Sequence, residues 1–149
     1  MFGSLFCTIG KALGGCKDVT PVIQPCATIG LNLASSILLD KLDEIQDADG
    51  AAIYLPDNEL KIYKKVDVQE AHELEEVASI KYIAEIHDCD DFAAKLFGKF
   101  AGLVWSNLHA LCFFIDETNT FYFIEPQTGK ISQTLEGWQG SDIRFFIGR

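Results

Sequence analysis

The chain is short of positive charge. Its 149 residues hold 12 Lys and Arg against 22 Asp and Glu, a formal net charge of −10. A surface this acidic is repelled by phosphate backbones, so nucleic-acid binding is not expected; a basic partner or bound divalent cations fit better. Long apolar runs are missing too. No stretch reaches the roughly 18–20 apolar residues that a bilayer-spanning helix needs. The opening MFGSLFCTIGKALGG is apolar but has no basic residue ahead of it, so a secretory signal is not expected. Cysteine pairs at CxxC spacing do not occur. The five cysteines (Cys7, Cys16, Cys26, Cys89 and Cys112) are odd in number, which argues against a closed disulfide framework, a zinc ribbon or a thioredoxin-like site. Unpaired thiols point to a reducing compartment. There is no internal repeat and no low-complexity tract.

What is present is apolar and aromatic. Hydrophobic residues make up 48% of the chain, 11 of them Phe, enough for the core of one domain with a short appendage. The chain reads as two unequal parts. Residues 1–48 form a helical N-terminal extension without aromatics after Phe6, a candidate assembly or partner-binding segment. Residues 49–149 form the main domain. A helix is expected over 2–13, stopped by Gly14-Gly15, and an extended stretch from Lys17 to Pro25. Cys7, Cys16 and Cys26 are buried thiols by default, with soft-metal ligation as the lesser alternative. The spacing of Ile29, Leu33, Ile37, Leu38, Leu42 and Ile45 predicts a helix over 28–46.

Ala51–Leu55 and Glu59–Val66 read as two strands of a hairpin around Pro56-Asp57-Asn58. Residues 69–78 are Glu-rich and helical in pattern. A further helix starts at Cys89 and carries Phe92, Leu96, Phe97 and Phe100 on one face, with Gly102 as its stop. His109–Asp116 and Phe121–Glu125 make an antiparallel hairpin, Pro126–Gly129 a turn, and Asp142–Ile147 a final strand. Packing helix 89–101 on this sheet makes an α+β domain.

Cys89 lies at the predicted first turn of its helix, behind Asp88 as N-cap. A helix N-terminus favours the thiolate, and its free N–H groups can stabilise an oxyanion. A thiol nucleophile needs a base, and the base needs an orienter. His109 opens one hairpin strand and Glu125 closes the other. A three-residue loop of Glu117, Thr118 and Asn119 pairs Asp116 with Thr120. His109 then faces Gln127, and Glu125 is its diagonal neighbour on the same face. A loop of two or four residues would put them on opposite faces. Asp88, Asp90 and Asp91 oppose a thiolate unless a cation neutralises them. Each residue alone has a structural explanation: a buried small Cys, a strand His, a turn Glu.

Taken together, Cys89-Asp90-Asp91-Phe92-Ala93, His109-Ala110 and Glu125-Pro126-Gln127-Thr128-Gly129 resemble the C-terminal, papain-like cysteine protease domain of the fairy-ring mushroom (Marasmius oreades) agglutinin family. The likeness covers about residues 50–147. It implies a papain-like fold and a cysteine hydrolase, most simply a peptidase acting on peptide or protein. It implies Cys89 as nucleophile, His109 as base and Glu125 in place of the usual Asn or Asp orienter. It also implies calcium near the nucleophile, with Asp91 as the matching ligand and Asp90 as a second candidate. The chain departs from the family in lacking a β-trefoil lectin region. It also lacks a Gln shortly before Cys89, which leaves Tyr82 and Trp105 as candidates for the second oxyanion donor. The role of His87 is open. Asp88-Cys89 before a helix also resembles bacterial cell-wall endopeptidases of the same clan, though Asp-Asp follows the Cys where those have Ser-Gly. The opening residues are similar to the starts of small phage virion proteins. That likeness implies an alternative, a non-catalytic tail or capsid component, located in the particle or the cytoplasm of a bacterial host.

Overall fold

The computed structural model describes residues 23–45, 50–138 and 142–149. The expected helix over 2–13, nearly all of the extended stretch before Pro25, most of the helix stop at 47–50, and both Cys7 and Cys16 lie outside the described residues. Strands β1 to β8 are Ala27–Gly30, Ala52–Tyr54, Glu59–Ile62, Gly102–Ser106, Ala110–Ile115, Phe121–Glu125, Lys130–Ser132 and Ile143–Ile147. Helices α1 to α4 are Leu31–Asp43, Lys65–Gln69, His72–Ala78 and Cys89–Lys99.

The sequences ALCFFI and FYFIE have apolar residues at nearly every position, so β5 and β6 present two apolar faces that both need cover. Every residue of both strands is buried. They lie inside a six-stranded sheet of order β2-β8-β4-β5-β6-β7. The β2–β8 pair is parallel and the other pairs are antiparallel.

One face of the sheet presents Leu111, Phe113, Ile115, Phe121 and Phe123, with Val104 and Phe146 from neighbouring strands. It packs on Ala34, Leu38 and Leu42 of α1 and on Ile29, Leu60 and Ile62 of a separate β1–β3 ribbon. The other face presents Ala110, Cys112, Phe114, Tyr122 and Ile124 to Phe92, Ala93 and Leu96 of α4 and to Leu74 and Val77 of α3. The result is an α+β fold in three layers, as the sequence predicts in class. Phe97 is only half-buried, whereas Phe92, Leu96 and Phe100 are buried.

Several elements differ from expectation. The hairpin over 51–66 does not form: β2 joins β8, and β3 joins β1. The Pro56-Asp57-Asn58 turn therefore links two different sheets. The expected helix over 28–46 starts at Leu31, because Ala27–Gly30 is extended and pairs with β3. Its apolar face is spent on the shared core, so the boundary placed after residue 48 falls between elements packed on one sheet. The Glu-rich helix expected over 69–78 is α3, which starts at His72 after an extended Ala71, and the preceding helix α2, beginning within the expected strand to Val66, was not foreseen. Strands β4 and β7 were not foreseen. β4 lies between β5 and β8, opposite Phe113 at Gly102. A Cβ on Gly102 would come within 2.3 Å of the Phe113 ring, so the glycine is what admits that ring.

The β5–β6 loop is the three-residue form. The Asp116 N–H donates to the Thr120 carbonyl at 2.9 Å, and Cys112, Phe113, Phe114 and Ile115 face Ile124, Phe123, Tyr122 and Phe121. Asn119 takes the left-handed conformation that such loops need at their last position, with φ +65°. The buried Asp116 carboxylate holds the turn. Its Oδ1 accepts from the Thr118 N–H (2.8 Å), the Thr118 hydroxyl (2.6 Å) and the Thr120 N–H (3.0 Å). Burial works to raise the Asp116 pKa, but these hydrogen bonds and the Lys65 charge outweigh it, and the carboxyl sits below its ordinary value.

Asp116→Ala should cost about 1–3 kcal/mol in urea unfolding at neutral pH, since it strips acceptors from buried donors. The depressed pKa adds a stability component that is present above the unfolded carboxyl value of about 3.9 and lost as pH falls through the lower folded value. Asp116→Asn should flatten that acid limb while costing less than Asp116→Ala at pH 7.

Candidate functional site

Helix α4 begins where its sequence can cap itself. Asp88 at the N-cap and Asp91 at the third helical position form a reciprocal capping box, with Asp91 Oδ2 accepting from the Asp88 N–H at 3.3 Å. Cys89 is therefore the first residue of the helix. Burial of Phe92 and Leu96 against the sheet fixes where that end of α4 sits.

The sheet side is equally determined. The short β4–β5 turn is tied by Ser106, whose hydroxyl accepts from the N–H groups of Leu108 (3.2 Å) and His109 (2.9 Å) and donates to the His109 carbonyl (3.0 Å). Glu125 ends β6, and its carbonyl accepts from the N–H groups of Thr128 (3.2 Å) and Gly129 (2.8 Å). Glu125 Oε1 accepts from the Gln127 N–H at 3.1 Å, and Oε2 lies 2.7 Å from His109 Nε2. The register of the hairpin thus does what the three-residue loop requires and brings His109 and Glu125 to one face. Glu125 is only 6% exposed, so the pair is a desolvated, charge-assisted contact whenever the imidazole is protonated.

Cys89, His109 and Glu125 line one cleft of about 430 Å³. The same cleft is lined by two aromatic side chains, Tyr82 and Trp138, and by Leu108, Gln127, Thr128 and Lys130. Sequence reasoning missed Trp138, Lys130 and the amide and hydroxyl of Gln127 and Thr128. A usable signal for the last two was the turn Glu125–Gly129, which had to lie beside Glu125. Trp105 does not line this cleft. It stacks on Phe145 at 5.8 Å beside Ser106, Asn107 and Arg144. His87 is also elsewhere: its ring lies 4.6 Å from that of Phe92, and its Nδ1 is 3.8 Å from Asp91 Oδ2.

The acidic residues around Cys89 divide their roles. Asp88, Cys89 and Asp90 have ligand atoms within 4.8 Å of one another. Asp88 and Asp90 share a hydrogen bond that chiefly holds the Asp90 carboxyl above its ordinary pKa and the Asp88 carboxyl below its own. Asp91, the expected calcium ligand, is outside this group and is engaged by the helix cap. Among the described residues the clustered donors are two carboxylates and a soft thiol. Calcium takes six to eight oxygens, so this set does not fit it.

The described thiols differ sharply. Cys112 is fully buried in the sheet, and its Sγ donates to the Ala93 carbonyl at 3.3 Å. Burial above all, and then the Glu125 charge, push its thiol pKa far up, which keeps it protonated. Cys89 is half-buried at the cleft, and Cys26 is exposed.

The chain matches no protein-family model and no curated protein. Among solved structures it is similar to PSL1a, a Polyporus squamosus lectin. A complex of PSL1a with E64 matches with a TM-score of 0.62 at 22% identity, over 80% of this chain and 50% of that one. The Polyporus squamosus lectin bound to the human-type influenza-binding epitope Neu5Aca2-6Galb1-4GlcNAc matches with a TM-score of 0.59 at 22% identity, over 80% and 49%. The present chain thus spans about half the length of these neighbours and shares their fold over that half. This corrects the expectation of a cysteine peptidase or other hydrolase acting on peptides, because the neighbours are named as lectins. The same finding covers the alternative of a cell-wall endopeptidase. No described helix is long and apolar enough to cross a membrane.

Iodoacetamide applied to the native protein should modify Cys89 and Cys26 and spare Cys112, read by mass mapping of Cys-containing peptides. Labelling of Cys112 at the Cys89 rate would mean that α4 lifts from the sheet.

Proposed function

We propose that this protein is a saccharide-binding module and that its ligand occupies the cleft between Cys89 and the His109–Glu125 pair. The observation that carries the reading is the lining of that cleft. Tyr82 and Trp138 offer aromatic faces of the kind on which the C–H face of a pyranose ring stacks. Glu125, Gln127, Thr128 and His109 offer convergent acceptors and donors for ring hydroxyls. Lys130 adds a cation suited to a carboxylate-bearing sugar. That the neighbours, matched over about half their length, are lectins supports the same class of ligand.

In this reading the three residues first singled out keep one site and take binding roles. Glu125 holds the His109 ring in a fixed orientation, and both present polar atoms to the ligand. Cys89 contributes the edge of the cleft at the start of α4. The kinship proposed is with the C-terminal domain of the fairy-ring mushroom agglutinin family. It is supported by the order Cys89, His109, Glu125 and by the helix-on-sheet arrangement.

Calorimetric titration against a panel of sialylated and neutral oligosaccharides tests this, with the trisaccharide of the neighbour's complex as first probe. Saturable binding is expected, weakened about tenfold or more by Trp138→Ala, a loss of about 1.4 kcal/mol. Bound saccharide should also slow iodoacetamide modification of Cys89 but not of Cys26. No saturable binding across the panel, or an unchanged affinity in Trp138→Ala, would overturn the proposal.

A further inference from the structure

We infer that a second cleft, beside α2 and α3, binds a primary alkylammonium group. Glu73 is the observation that points there. Its side chain is buried, with the residue only 5% exposed. Oε1 accepts from the Ile23 N–H at 3.1 Å, but Oε2 is buried and has no hydrogen-bond partner. Leaving a buried carboxylate oxygen unpaired is costly, and a charged donor removes that cost.

Glu73 lines a cleft of about 390 Å³ together with Asp67, Glu70, His72, Ile23 and Ala71. Three carboxylates thus face one space, and no Lys or Arg is among its described lining residues. His72 lies 4.0 Å from Glu75 on its own helix and is more than half exposed, so it does not neutralise Glu73. The ligand is therefore cationic.

Its class follows from the spread of the carboxylates. Among the described residues the only group of ligand atoms close enough to hold one metal ion is Asp88, Cys89 and Asp90. The oxygens of Asp67, Glu70 and Glu73 do not converge on a point, which disfavours a bare divalent cation. A molecular cation with a short apolar stem fits. Its ammonium head carries three donors and can satisfy Glu73 Oε2. Its methylenes can lie on Ile23 and Ala71. A second positive end would meet Asp67 or Glu70 at the rim. A linear diamine and a lysine side chain share this chemistry.

The test is a titration of the full, ¹⁵N-labelled chain at constant ionic strength, followed by amide shifts. Cadaverine and Nα-acetyl-lysinamide are the two probes. Saturable shifts at Ile23 and Glu73 are expected with at least one; a preference for cadaverine assigns a free diamine, and the reverse assigns a lysine side chain. Glu73→Gln keeps an oxygen acceptor for the Ile23 N–H but loses the charge, and should weaken binding about tenfold or more. Asp67→Asn with Glu70→Gln, both exposed, should weaken it by a smaller factor, which guards against misfolding of the Glu73 variant. Asp43→Asn, on the far side of the sheet, should leave affinity unchanged. Non-saturable shifts with both probes, or equal weakening by Asp43→Asn, would overturn the inference. None of these outcomes bears on saccharide binding, which uses other residues and another probe.

Discussion

The register of β5 against β6 is the constraint on which the rest depends. Because side chains alternate along a strand, a one-residue slip of β6 against β5 would send Phe121 and Phe123 to the opposite layer and bring Tyr122 and Ile124 to theirs. It would also part His109 from Glu125. The register is set locally, by three hydrogen bonds into one oxygen of Asp116 and by the left-handed Asn119. A polar turn of a few residues therefore determines both how the apolar layers are assigned and whether the cleft has its imidazole–carboxylate pair.

The hairpin was legible in the sequence because its signals are short-range: a charged and polar loop between two apolar runs, and a loop length that fixes parity. Helix α4 was legible for similar reasons, with Asp88 as cap and Phe92, Leu96 and Phe100 on one stripe. What could not be read was long-range. Nothing local in Ala52–Tyr54 says that it pairs parallel with residues more than ninety positions later, and the nearby turn residues argued for a hairpin. Strand β4 was hidden because Gly102 looked like a helix stop. The helix instead ends at Lys99, before Phe100, and Gly102 opens β4 at the point where the Phe113 ring crosses it. The N-terminal helix announced an apolar face but not its destination, which is the second side of the sheet.

The site divides along the same line. Cys89, His109 and Glu125 were visible because helix start and strand ends place them. The chemistry drawn from them was not secure, since the same three side chains can floor a binding cleft as well as a catalytic one. Trp138 and Lys130, which line the same cleft, come from segments whose proximity only the folded chain creates. Fold and constellation together did not determine function, and the comparison with lectin chains altered the conclusion without moving a residue.

The sheet has a further property that follows from its outer strands. Both edges, β2 and β7, are three residues long, while the interior strands run to five or six. An edge that short offers few unpaired backbone groups to a foreign strand, and β7 begins with Lys130, a charge that resists such pairing. The chain can therefore keep an intensely aromatic, two-faced interior without presenting it as a template. Its most aggregation-prone segments, ALCFFI and FYFIE, are both interior strands, paired on each side and away from the edges on which a second molecule could grow.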